Sequence, residues 1–177
     1  YRAKLTLDHP ISASLDQIPI LVKQNGTVLD TLFADRNGQF SFPAKVNSNY
    51  TFELNNEEIE SVSDSYSTVG KTASDTVDRI LQLKSKYIPL NTQVIDDKTD
   101  QPVPNAEVTL INKKNGAKEV VKTDDNGKIS AKLLRGSDYE IMAEKQGFIA
   151  NSLDLSTNEN KDRLDKTLPI QKIRKGA

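Results

Sequence analysis

Asp35-Arg36-Asn37-Gly38-Gln39-Phe40-Ser41 returns 89 residues later as Asp124-Asp125-Asn126-Gly127-Lys128-Ile129-Ser130. Twelve residues after each glycine stands a tyrosine in an apolar-alternating run, Tyr50 to Leu54 and Tyr139 to Ala143. The offset is again 89, from 50 to 139, so no gap falls between the two landmarks. Upstream, Asn25-Gly26 and Asn115-Gly116 extend the match with a slip of one residue. Two copies of one small module therefore fill the 177 residues, assigned as 1–87 and 88–177. Modules of that size bury roughly 60–65% of their unfolded surface, enough for a modest core without staples.

Within each copy the apolar residues alternate with period two, which is the strand pattern. Tyr1, Ala3, Leu5 and Leu7 fall on one face and Arg2, Lys4, Thr6 and Asp8 on the other. Ile18, Ile20 and Val22 repeat the pattern, as do Ala106, Val108 and Leu110, then Ile129, Ala131 and Leu133. Pro19 interrupts one such run, which suits an edge strand or a strand start. Asn-Gly supplies the positive φ that tight hairpins need. In Asp-x-Asn-Gly the carboxylate accepts backbone N–H bonds and the next residues tolerate the left-handed region. Asp35, Asn37, Gly38, Asp124, Asn126 and Gly127 are thus expected to be structural turn residues closing hairpins.

Helical signals are weak. Residues 74–84 place Val77, Ile80, Leu81 and Lys84 at helical spacing, but their counterpart ends in alternating Leu168 and Ile170, so both read as closing strands. The polar stretches 55–78 and 151–166 read as solvated connections. The joint near 85–89 holds no glycine, which favours a preferred relative orientation of the modules. Short antiparallel strands at about ten-residue spacing predict an all-β protein of two tandem antiparallel β-sandwiches.

Composition narrows the function. The chain has 24 basic and 25 acidic residues. Split after Ile88, the first part has 9 against 11 and the second 15 against 14, so net charges are −2 and +1. Neither part shows the basic excess of a nucleic-acid binder. There is no cysteine, which removes disulfides and thiolate metal sites. No apolar run approaches the ~18–20 residues of a membrane span, so direct membrane insertion is not expected. The start at Tyr1, without methionine and inside a strand pattern, reads as a piece cut from something longer.

A calcium loop built around Gly127 at its sixth position would begin at Lys122 and end at Leu133, and the first copy offers Phe33 and Ala44. The required carboxylates are missing, so the motif is a turn. Asp96, Asp97 and Asp100 read as an exposed acidic turn. Zinc hydrolysis needs about three imidazole or carboxylate ligands, and His9 is the single histidine. Beside Pro10 at a strand end, His9 is expected at the surface. Glu57-Glu58 lies in a polar stretch with no apolar pocket to raise a carboxyl pKa. No catalytic residue, cofactor or metal is expected. Lys4 could be the lysine of a Lys–Asn crosslink between first and last strands, as in some pilins, but 90–95 offers no counterpart. Scarce aromatics and no tryptophan weigh against a sugar-stacking platform.

Val94-Ile95-Asp96-Asp97-Lys98-Thr99-Asp100-Gln101-Pro102-Val103-Pro104-Asn105-Ala106-Glu107-Val108-Thr109-Leu110 resembles the opening of a carboxypeptidase-regulatory-like domain. Thr123 to Ile129, Gly136 to Tyr139 and Lys145-Gln146-Gly147-Phe148 resemble its later segments. The first module is similar to a divergent member: Asn47 stands where Gly136 does, and no Gly-Phe pair follows Tyr50. The resemblance implies that the two tandem antiparallel β-sandwiches are transthyretin-like or Ig-like, with about seven strands each. Residues 166–176 resemble the segment joining such modules to an OmpA-like domain in Bacteroidetes envelope proteins. That implies a periplasmic, outer-membrane-associated spacer or interaction module, of the kind that in some members serves a secretion or gliding assembly. Its partners would be other envelope proteins, with peptidoglycan held only by a flanking domain. The alternative is an exported adhesion module, acting through the 55–78 loop, or a carbohydrate- or ligand-binding module.

Overall fold

The computed structural model describes residues 1–71 and 75–173. It is all-β and divides into two compact units, Tyr1–Lys86 and Tyr87–Ala177. The first unit runs β1 (Arg2–Leu7), β2 (Ile20–Gln24), β3 (Thr27–Leu32), β4 (Gln39–Ser41), β5 (Asn49–Asn56), β6 (Ile59–Ser67) and β7 (Asp78–Leu83). A single 3-10 turn, Leu15–Gln17, sits between β1 and β2. The second unit runs β8 (Tyr87–Asp96), β9 (Glu107–Asn112), β10 (Lys118–Lys122), β11 (Lys128–Leu134), β12 (Asp138–Glu144), β13 (Phe148–Ile149), β14 (Asn151–Ser156) and β15 (Leu164–Lys172).

Each unit packs two sheets over one core. The sheets are ordered β4-β1-β7 and β3-β2-β5-β6 in the first unit, β11-β8-β15-β13 and β10-β9-β12-β14 in the second. Period-two alternation puts Tyr1, Ala3, Leu5, Ile20, Val22, Tyr50, Phe52 and Leu54 into the first core. The same alternation puts Leu90, Val94, Val108, Leu110, Ile129, Leu133, Tyr139 and Ile141 into the second. Pro19 immediately precedes β2, a central strand, so it is a strand start and not an edge. The closing strands β7 and β15 are strands despite the helical spacing of 74–84, of which residue 74 lies outside the described residues. Both pair in parallel with the opening strand of their unit.

Three expectations need correction. First, 55–78 and 151–166 are not simple solvated connections, because β6 and β14 run through them as edge strands. An edge strand with one face to solvent needs few apolar residues, here Ile59, Val62 and Tyr66 among serines and acids, so its polarity hides the alternation. A register shift at Leu54/Asn56 also changes which positions face inward. Second, Asp-x-Asn-Gly does not close a hairpin. It carries the chain from β3 to β4 and from β10 to β11, strands belonging to opposite sheets. Third, the two Asn-Gly pairs differ. Asn25 and Gly26 both have positive φ, 50° and 82°, in a two-residue turn. In the second unit only Gly116 does, at 74°, within the longer loop 113–117. A bulge at Val22/Lys23, found only in the first unit, puts one more residue between Asn25-Gly26 and Asp35 than lies between Asn115-Gly116 and Asp124, which explains the one-residue slip.

The segment after β7 is tied down. Glu60 N donates to Lys84 O (2.8 Å), Lys86 N to Glu58 O (2.7 Å) and Ser85 N to Asp8 Oδ1 (2.9 Å). These bonds hold residues 84–86 to the first unit right up to Tyr87, where β8 begins.

Candidate functional site

What the two units share, position for position, is a set of polar devices and one strand pairing. Asp35 Oδ1 accepts from Asn37 N and Gln39 N, both at 2.9 Å. Asp124 Oδ1 accepts from Asn126 N and Lys128 N at the same distances. Gly38 N donates to Asp35 O and Gly127 N to Asp124 O, each at 2.9 Å. The glycines alone adopt the left-handed region, φ 78° and 70°; Asn37 and Asn126 do not.

Each turn then docks on the opening strand. Leu5 N donates to Gly38 O at 2.7 Å, and Val94 N to Gly127 O at 2.8 Å. A Cβ on Gly38 would lie 2.7 Å from Leu5 O; one on Gly127 would lie 2.6 Å from Val94 O and 2.9 Å from Val103 N. Glycine is required twice over, by backbone conformation and by close approach. This is how the crossing between sheets is fixed.

A second device surrounds the tyrosines. Tyr50 Oη accepts from Lys45 N and Tyr139 Oη from Leu134 N, both at 2.9 Å. A third centres on two threonines that no local motif marks. Buried Thr68 Oγ1 donates to Lys45 O and accepts from Ser48 N. Thr157 Oγ1 donates to Leu134 O (2.7 Å) and accepts from Ser137 N (2.9 Å). Thr68 and Thr157 are 89 residues apart, so extending the gap-free alignment eighteen residues beyond the tyrosines would have found them.

The opening and closing strands form the fourth common element. Arg2 through Leu7 oppose Asp78 through Leu83, six pairs, and Leu164 through Ile170 oppose Leu90 through Asp96, seven pairs. On the outer face Arg2 grips Asp78 with Nε at 2.8 Å and Nη2 at 3.1 Å. Its hydrogen bonds hold the Asp78 carboxyl below the usual carboxylate range. The second unit keeps the carboxylate and replaces the arginine: Ser130 Oγ donates to Asn91 Oδ1 (3.0 Å), Asn91 Nδ2 reaches Asp165 Oδ1 (3.4 Å), and Arg163 Nε pairs with Asp165 Oδ2 (3.0 Å). Both faces are shallow grooves, about 580 Å³ beside Arg2, Lys4, Gln39 and Ser41 and about 420 Å³ beside Asn91, Gln93, Lys128 and Ser130. No exposed aromatic ring lines either.

The residues weighed for chemistry do not converge. Among the described residues no group of three or more His, Asp or Glu side chains could hold a metal. His9 is 8% exposed, not a surface residue. Asp8 N donates to Leu83 O (3.1 Å) and Asp8 Oδ1 caps Ser85 N, so the end of β1 folds against the closing strand and takes His9 with it. Glu58 Oε2 accepts from Ser12 N, while Glu57 is exposed. Asp96 Oδ1 accepts from Lys98 N as a turn residue. Lys4 is exposed and faces Gln39 and Ile80 across the sheet, with no asparagine opposite.

Residues 90–169 match the carboxypeptidase regulatory-like domain family. Across both units the chain is similar to bacterial repeat proteins. It is 27% identical over 164 residues to serine-aspartate repeat-containing protein D of Staphylococcus aureus (strain MW2), covering 80% of this chain and 12% of that protein. It is 26% identical over 163 residues to serine-aspartate repeat-containing protein E of Staphylococcus aureus (strain Mu50 / ATCC 700699), covering 80% and 14%. The chain therefore spans about an eighth of the length of these relatives. Among solved structures, shaft pilin spaA from Lactobacillus rhamnosus GG aligns over 98% of this chain and 97% of its own, with a TM-score of 0.50 and 9% identity. At that identity the likeness concerns the fold alone.

Proposed function

We propose that these two units are a non-catalytic, tension-bearing spacer of an exported bacterial protein. The observation that carries this reading is the parallel pairing of the opening and closing strands in each unit. Because the two strands run the same way, the chain enters a unit at one end and leaves at the other. Each unit therefore adds its own length to the chain. Tension along the chain loads all the bonds of the parallel ladder together, in shear, where a hairpin pulled at its free ends breaks them one by one. The docked Asp-x-Asn-Gly turn braces the opening strand on its other side.

The serine-aspartate repeat relatives and the shaft pilin fold support an extracellular or cell-envelope setting. The finer periplasmic placement, ahead of an OmpA-like domain, rests on residues 166–176, of which 174–176 lie outside the described residues. Of the two settings, an exported stalk fits the relatives better.

The test is single-molecule pulling of the whole chain. Handles at its two ends load the β1–β7 ladder in shear. Handles at Asp8 and Lys84, exposed neighbours at one end of that ladder, unzip it instead. The spacer reading expects a clearly higher opening force for the first geometry. Equal forces would remove the mechanical argument.

A further inference from the structure

Among the described residues, the sheet β4-β1-β7 ends at β7, and nothing pairs with its outer side until Ser85 bridges Ile59. Ladder geometry tells which groups are left over. Arg2 N donates to Val77 O and Asp8 N to Leu83 O. With the register known, Arg79, Leu81 and Leu83 turn their amides and carbonyls toward β1, and Asp78, Ile80 and Gln82 turn theirs outward.

In the second unit the corresponding outward positions on β15 are Asp165, Thr167 and Pro169. Pro169 has no N–H to offer, and its carbonyl is capped by Asn151 Nδ2 at 2.7 Å. Proline and a side-chain cap are standard ways of blunting a sheet edge. At the matching places in the first unit stand Gln82 and Val62, so neither block is present. Ile80, in the middle of the open edge, is 76% exposed, the highest among the exposed large apolar residues.

We propose that the β7 edge is a self-association surface, on which a second copy of this chain pairs antiparallel through Asp78–Gln82 with Ile80 on the two-fold axis. The sequence of the strand is complementary to itself about that point. Ile80 meets Ile80, Asp78 meets Gln82 and Arg79 meets Leu81, so no like charges stand opposite. Asp78 keeps its bond to Arg2, on its own protomer. The outward groups exchange N–H···O bonds in pairs, and two three-stranded sheets become one of six. Such an isologous contact closes on itself and makes a dimer, not a fibre. A strand this short buries well under the ~1,200 Å² of a stable interface, so the dimer is reversible and concentration-dependent. This surface is independent of the tension-bearing reading.

The absence of native cysteine makes the register directly readable. In an antiparallel hydrogen-bonded pair the Cα atoms sit ~5.5 Å apart, within disulfide range. In the full chain under mild oxidation, Ile80→Cys should form a disulfide dimer severalfold faster than Gln82→Cys. Adding Gln82→Pro to Ile80→Cys, which copies Pro169, should abolish that advantage with the near-ultraviolet circular dichroism unchanged. Ile80→Cys reacting no faster than Gln82→Cys would overturn the proposal, and this is also the result if a foreign strand occupies the edge. So would an Ile80→Cys rate indifferent to Gln82→Pro.

Discussion

The two units keep the same polar devices at the same places and fill their cores with different residues. Tyr1, Phe40, Phe42, Phe52 and Tyr66 in the first unit stand where the second has Leu90, Ile129, Ala131, Ile141 and Leu155. The first core is an aromatic cluster: Tyr1 stacks on Phe52 with ring centroids 4.0 Å apart, and Phe42 meets Phe52 edge-on at 5.8 Å. The second is aliphatic. The aromatic kept in both is Tyr50/Tyr139, whose hydroxyl receives a backbone N–H. Core positions demand apolar volume in the right pattern, and several fillings satisfy that. A turn that must cross from one sheet to the other accepts far fewer sequences. The pattern of the sandwich is therefore tolerant, and its crossings are not.

The comparison is tested hardest at Phe52 and Ile141, which occupy equivalent, fully buried sites. Phe52→Ala removes a ring in contact with several others and should cost ~3–5 kcal/mol, whereas Ile141→Ala should fall near ~2–3 kcal/mol. Urea unfolding followed by residue-resolved NMR assigns each loss to its unit. Equal losses would mean that the aromatic cluster adds nothing beyond volume, and that the cores differ in name only.

At the crossings the glycines can be separated by surroundings. Gly127 and Gly116 share nearly the same φ, 70° and 74°, but a Cβ on Gly116 meets nothing within 4 Å. Valine at either position suffers backbone strain of about 1–3 kcal/mol. Gly127→Val also forces a Cβ against Val94 O and Val103 N, and should lose ~2 kcal/mol more than Gly116→Val. Thermal unfolding of the two variants decides it. Matching melting temperatures would show that the turn yields easily and does not brace β8.

These sites also show which features local chemistry makes legible in the sequence. The Asp-x-Asn-Gly echo, the tyrosines and the alternation of Tyr50 to Leu54 were visible because each depends on local residue chemistry. The inward-facing sets followed at once, as did the all-β architecture. The destination of the turn was hidden, since the same local hydrogen bonds serve a hairpin or a crossing. Strand β6 was hidden because Ser61, Ser63, Ser65 and Ser67 suit a solvent-facing edge as well as a loop. Thr68 and Thr157 stay hidden because an isolated threonine announces nothing until the chain reversal that brings Ser48 and Ser137 to them is placed. The parallel pairing of β7 with β1, on which the functional reading rests, leaves no mark in the sequence of either strand.

The finest contrast between the units lies at Tyr1, whose counterpart Leu90 cannot ionise. Burial, together with the 2.6 Å bond from Tyr1 Oη to Asp64 Oδ2, raises the phenol's pKa well above its ordinary value. The folded state thus holds the proton more tightly than the unfolded chain, where tyrosine titrates near ~10. Stability from this site is complete below that pH and is lost as pH climbs toward the folded value. Unfolding midpoints of the native chain and Tyr1→Phe, taken from pH 8 to about 11, isolate it from the general effects of alkali. The native chain's advantage should shrink across that range, and only in the first unit. A gap between the two proteins that stays constant with pH would show that the phenol ionises as easily folded as unfolded, and that the hydrogen bond to Asp64 does not hold its proton.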